Sequence, residues 1–218
     1  NEKLSIPVYR FLSSGLKITL SKHLLFKAVL TSTREKRCQI EITEPYLEDD
    51  IITTIKEARF IGEQSSWKKI NLNDIVNYEK ISSLVGQNHY KKIKQTIDLD
   101  ETDENFDFHL KYTLERHLSP LKLKNSQIPT YVIPIKPVWA EQLFDDKSGE
   151  KLPLFESEDK LLLNRENVYY RTSSKGSLVA PARILWYVSQ NATTKEKGQI
   201  KAASYVDEIF IDDAKKLF

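Results

Sequence analysis

A chain of 218 residues with 40% apolar content can bury one large core or two small ones. Its 33 basic and 31 acidic side chains nearly cancel, so no global field would hold it on nucleic acid and any such contact must be local. The single cysteine, Cys38, excludes an internal disulfide framework and a Cys-rich zinc site, and no apolar run reaches the roughly 18 residues that a bilayer requires.

The opening "LSIPVYRFLSSGLKITL" and "LLFKAVLTST" read as two or three strand-like or mixed segments, punctuated by Pro7, Ser13, Ser14 and Gly15. In "RCQIEIT" Cys38, Ile40 and Ile42 alternate with Gln39, Glu41 and Thr43, which predicts a half-buried strand with Cys38 as a buried structural thiol. Acids Glu48, Asp49 and Asp50 then precede an apolar stripe of Ile51, Ile52, Ile55 and Ala58, the pattern of a helix whose first turn carries negative charge. "FIGEQSSWKKINL" reads as a hairpin or strand pair.

From Asn73 to Leu118 the pattern predicts a helical connector. Asn73 stands as a cap before "DIVNYEKISSLV", Gly86 follows its apolar end, "HYKKIKQTI" continues, and Phe106, Leu110, Leu114 and His117 recur at helical spacing. The acidic run "DLDETDENFD" lacks the glycine and the twelfth-position glutamate of a calcium loop, so it reads as a solvated loop. His109 and His117 lie eight apart on one helix, where packing or surface roles outweigh shared metal ligation. "LKLKNSQIP" has linker character. The boundary is therefore placed at Asn125, with an α+β segment and helical connector in residues 1–125 and a second domain in 126–218.

In the second domain, Tyr131, Ile133 and Ile135 alternate with Val132, Pro134 and Lys136, and Pro137 opens a helix in which Ala140, Leu143 and Phe144 form the buried stripe. A long loop, "DDKSGEKLPLFESEDK", then leads to "NRENVYYRTSS", "ARILWYVS" and "GQIKAASYVDEIFI", three aromatic-rich strands. Lys136 ends the first strand, where it is either an ordinary surface lysine or a cation placed for a phosphate or a polar base edge. Trp139 sits at the strand-to-helix junction, where it either packs under the helix or faces a ligand. Arg165, Tyr169, Tyr170, Arg171, Trp186 and Tyr187 interleave guanidinium groups with rings. That mixture suits unpaired bases, which stack on aromatic faces, although strands are rich in aromatics and half or more of these rings are expected in the core. Ser173 and Ser189 could add hydroxyl hydrogen bonds, and Ser204 lies in the last strand.

The order of strand ending in Ile-Lys-Pro, helix and three aromatic strands, over Tyr131 to Ile211, resembles the PUA-like superfamily, most closely its ASCH and EVE branches. The resemblance implies an α+β chain ending in a small β-barrel with a short helix after its first strand. It further implies a non-catalytic module that holds a nucleotide, or an unstacked or modified base of single-stranded RNA or DNA, in a barrel pocket. The pocket residues so implied are Lys136, Arg165, Tyr170 and Arg171; with Trp139, Tyr169, Ser173, Trp186 and Ser189 from the residue pattern they make up the candidate site, with no metal and no cofactor expected.

Residues 38–72 resemble, more weakly, the last third of an acetyltransferase fold, but none of the six glycines has the spacing of that family's pyrophosphate loop. The alternative is thus a C-terminal fragment of an acetyltransferase-type protein whose barrel selects an RNA or protein substrate, which leaves enzymatic activity open. A third reading makes the helices between Asn73 and Leu118 a partner surface. No phosphate-binding loop, nucleophile elbow or H-E-x-x-H motif occurs. The chain has no methionine and ends in "IDDAKKLF", which reads as a helix cut short. It is expected to be a cytoplasmic piece of a longer protein with further domains and no membrane segment.

Overall fold

The computed structural model describes residues 14–36, 38–44, 47–63, 66–137, 140, 178–189 and 198–211, and these form a mixed α+β chain. The chain divides into two compact units, Asn1–Ser126 and Gln127–Phe218. No helix among the described residues is long and apolar enough to cross a membrane.

The first described element of the first unit is a helix, α1 (Ser14–Arg34), where strands or mixed segments were expected. Apolar residues are spread through this stretch without a clean stripe, so its periodicity is weak. Tertiary packing decides the outcome: Ile18, Leu25 and Val29 lie against the core of Ile51, Ile55, Phe60 and Trp67. Strand β1 (Gln39–Thr43) pairs antiparallel with β3 (Ser66–Ile70), which pairs antiparallel with β2 (Ile61–Glu63), giving the order β1-β3-β2. Cys38 is exposed, contrary to the expected buried thiol. It precedes the ladder by one residue, so its carbonyl still accepts from Asn71 N at 2.9 Å while its side chain lies past the end of the packed strand. Helix α2 (Asp49–Glu57) has Asp49 and Asp50 in its first turn and buries Ile51, Thr54 and Ile55.

A second correction concerns residues 75–77. Instead of continuing a capped helix from Asn73, Ile75–Asn77 form β4, parallel to β5 (Lys122–Lys124) in a stretch expected to be linker. The partners are more than forty residues apart, a distance over which helical periodicity carries no information. Ile75 and Val76 are β-branched and suited to a strand. A single 3₁₀ turn (Tyr78–Lys80) leads into α3 (Ile81–Val85) and α4 (Gln87–Lys94), with Gly86 at φ 85° between them. Helix α5 (Phe106–His117) buries Phe106, Leu110, Leu114 and His117, the expected stripe. The acidic run before it is exposed and satisfied locally: the Asp100 carboxylate accepts from Thr102 N at 2.9 Å and Thr102 Oγ1 at 2.8 Å, which holds it below the usual carboxylate range.

Buried polar groups fasten the last turn of α5 to the strands. Lys69, 1% exposed, donates from Nζ to the His117 carbonyl at 2.9 Å, where the helix dipole favours a cation. Glu115, fully buried, accepts from Leu123 N at 2.6 Å. One turn thereby holds β3 and β5 together. The His117 ring sits beside them, its Nδ1 3.1 Å from the Thr113 carbonyl, and burial pushes it down to about 3.

The second unit contains β6 (Thr130–Ile135), β7 (Ala182–Val188) and β8 (Gln199–Val206) in the order β6-β7-β8. β6 runs parallel to β7 and β7 antiparallel to β8. Ile133, Ile135, Ala140, Ile184 and Trp186 pack on one face. These strands make an open sheet, and no closed barrel is present among the described residues.

His117 stays neutral in the fold, whereas the unfolded chain takes up a proton below about pH 6.5. Stability should therefore fall as pH drops from 6.5 toward 3, by about 1.4 kcal/mol per unit from this group. Urea unfolding at pH 7 and pH 5 is expected to show wild type losing about 2 kcal/mol more than His117→Phe over that interval; equal losses would exclude His117 as a source.

Candidate nucleic-acid interface

A parallel pair places the C-terminal ends of both strands at one edge. The β6-β7 register runs from Thr130 opposite Arg183 to Ile135 opposite Val188, so Lys136 and Ser189 leave the sheet side by side. Ser189 N donates to the Ile135 carbonyl at 3.2 Å and fixes that adjacency. The chain turns into helix directly afterwards, with Ala140 N donating to the Lys136 carbonyl at 3.0 Å. Lys136 is exposed and Ser189 half-buried.

The two aromatic residues of β7 divide between the faces, as strand alternation requires. Trp186 is 7% exposed, packs in the core and donates from Nε1 to Ser204 Oγ at 2.8 Å. It supplies packing rather than an open stacking surface. Tyr187 is 37% exposed. A β-bulge between Trp186 and Tyr187 shifts the β8 register, so that Trp186 faces Ala202 and Tyr187 faces Ile200, with Lys201 as the extra residue. The Tyr187 ring lies over Gly198: a Cβ at position 198 would stand 2.0 Å from the tyrosine hydroxyl. Gly198 thus leaves room for the ring to lie along the sheet toward the edge that carries Lys136.

Among the other residues expected in the pocket, Trp139, Arg165, Tyr169, Tyr170, Arg171 and Ser173 lie outside the described residues, as do Leu143, Phe144 and the closing "IDDAKKLF" after Ile211. Of the nine, Lys136 and Ser189 are brought together and Trp186 is turned into the core. The glycine beneath Tyr187 and the bulge at Lys201 were not singled out in the sequence. Both depend on how β7 pairs with β8, and nothing local in "GQIKAAS" marks the irregularity.

In the first unit, His89 is pushed down to about 4 by burial, with Lys68, Lys69 and Lys92 adding to the shift. The Tyr78 and Tyr90 hydroxyls lie 2.7 Å apart, and burial together with this hydrogen bond raises the Tyr78 phenol. No group of three or more His, Cys, Asp or Glu suited to a metal occurs among the described residues. His117 is buried with its Nδ1 3.1 Å from the Thr113 carbonyl, and the His109 ring meets Phe108 edge-on with centroids 5.6 Å apart.

No family model, no curated protein and no solved structure matches the chain.

The division of labour on β7 can be measured. Trp186→Ala should cost about 3–5 kcal/mol, since it empties a core position, while Tyr187→Ala should cost under about 1.5 kcal/mol. Thermal or urea unfolding of the two variants checks this, and similar losses in both would contradict the assignment of Trp186 to the core and Tyr187 to the surface.

Proposed function

We propose that the second unit is a non-catalytic module that binds single-stranded nucleic acid, or a nucleotide within it, at the edge where β6 and β7 end. The observation that carries the reading is the adjacency of exposed Lys136 and Ser189, set by the parallel register, on a sheet whose exposed ring is Tyr187. Lysine supplies a mobile cation for a phosphate, the serine hydroxyl can donate or accept at a base edge, and the tyrosine face offers stacking. Near-neutral net charge fits a local contact better than wrapping by a basic surface. The finer reading belongs to the same proposal: the sheet is part of a PUA-like barrel of the ASCH or EVE kind, and Trp139, Arg165, Tyr169, Tyr170, Arg171 and Ser173 complete the site. The packed inner face favours the rim over the interior as the place where the base lies.

The acetyltransferase alternative has less support. None of the six glycines has the spacing of that family's pyrophosphate loop.

Fluorescence anisotropy with labelled single-stranded RNA and DNA, with and without modified bases, tests the proposal. Lys136→Ala is expected to weaken binding about five- to tenfold and to reduce the slope of log affinity against log salt by about 1, as loss of one phosphate contact would. Tyr187→Ala should remove about 1–3 kcal/mol of binding free energy at every salt concentration. Salt-insensitive binding that is equal in wild type and both variants would overturn the assignment.

Gly198→Ala offers a second check that removes neither contact group. A methyl at position 198 must push the Tyr187 ring aside, so binding should weaken as in Tyr187→Ala while the salt slope stays that of wild type. Unchanged affinity in Gly198→Ala would separate the tyrosine from the site.

A further inference from the structure

Among the described residues of the first unit few large apolar side chains lie in solvent, and two of them meet at one place. Ile75 is 60% and Leu84 52% exposed, and both line a hollow of about 320 Å³ with Asp74, Val76, Lys80 and Lys124. An adjoining hollow of about 380 Å³ shares Asp74 and Ile75 and extends to Pro120 and Lys122. Together they make a shallow groove bordered by β4 and β5.

Its charge is one-sided: three lysines stand against the single carboxylate of Asp74. The Lys122 ammonium is held by the carbonyls of Pro120 and Leu121, at 3.3 and 3.1 Å. Lys80 and Lys124 are exposed and make no ion pair among the described residues, whereas Lys17, Lys22, Lys92, Lys94 and Lys111 all do. β4 has β5 on one side and no strand on the other among the described residues.

We infer that this groove docks an extended acidic peptide segment that presents aliphatic side chains. Each part of the groove matches one part of such a ligand. Ile75 and Leu84 lose water against its apolar residues, Lys80 and Lys124 meet its carboxylates, and an extended backbone lies along the side of β4 that has no strand among the described residues, where the Ile75 N–H already donates to Asp74 Oδ1 at 2.7 Å. A nucleic acid would find the lysines but no ring on which a base could stack, since no aromatic side chain lines the groove.

The test is anisotropy on the full chain with a fluorescein-labelled heptapeptide alternating leucine and aspartate. A second peptide with lysine in place of each aspartate, and unlabelled heptauridylate as competitor, complete the set. The acidic peptide is expected to bind, the basic one at least tenfold more weakly, and heptauridylate not to displace it. The Lys80→Glu/Lys124→Glu double variant should weaken the acidic peptide at least tenfold, and Leu84→Asp at least fivefold. Both changes lie at exposed positions, so melting temperatures near that of wild type will show the fold intact. Lys136→Ala, in the other unit, should leave peptide binding unchanged, which separates this outcome from that of the nucleic-acid proposal. Absence of binding, equal binding of acidic and basic peptides, displacement by heptauridylate, or full affinity in the folded groove variants would each overturn the inference.

Discussion

Parallel pairing of β6 with β7 is the constraint on which the functional account rests. Antiparallel neighbours joined in a hairpin would put the end of one strand beside the start of the next, and Lys136 would then lie far from Ser189. A parallel pair needs a crossover between its strands, and here the crossover begins at once, with Pro137 starting a helix at the edge itself. That edge gathers a cation, a hydroxyl and, through the bulge in β8, an exposed ring over a glycine. None of these groups is unusual alone. Their convergence follows from strand direction, which a change of one side chain does not alter.

The first unit solves a different problem, which is how to hold a small antiparallel sheet and a helical layer together through a polar seam. Burying the Lys69 ammonium and the Glu115 carboxylate is costly unless each is well bonded, and each is placed where a backbone partner waits: a carbonyl at the end of α5 and an amide at the centre of β5. Such groups demand one geometry, because a shifted helix would leave them without their partners. The seam therefore specifies how α5 meets β3 and β5 more than it adds to stability. It also makes β5 part of a packed layer and so fixes the parallel partner of β4, along which the basic, apolar-lined groove runs.

The sequence disclosed elements whose signal is local. β1 shows alternation, α2 shows acids followed by a stripe, α5 shows four core residues at helical spacing, and β6 shows Ile133 and Ile135 alternating with exposed Val132 and Pro134. It concealed those whose identity depends on a distant partner. β4 and β5 find each other across the whole helical layer, and α1 becomes a helix against a core that its own pattern does not announce. The site divides in the same way. Lys136 could be picked out because it ends a legible strand before a proline, and Ser189 as a hydroxyl at the end of another, but that the two stand side by side follows from the β6-β7 register alone. Trp186 and Tyr187, adjacent and both aromatic, could not be sorted by composition; the face of β7 that meets the core sorts them.

Photocrosslinking with a single-stranded oligonucleotide containing 5-iodouridine, followed by mass spectrometry of the conjugated peptides, addresses the central claim most directly because it reports position without a mutation. The account expects adducts on Tyr187 and on the segments around Lys136 and Ser189, at the end of the sheet where β6 and β7 terminate. Adducts confined to the first unit, or to the opposite end of the sheet around Thr130 and Arg183, would contradict it.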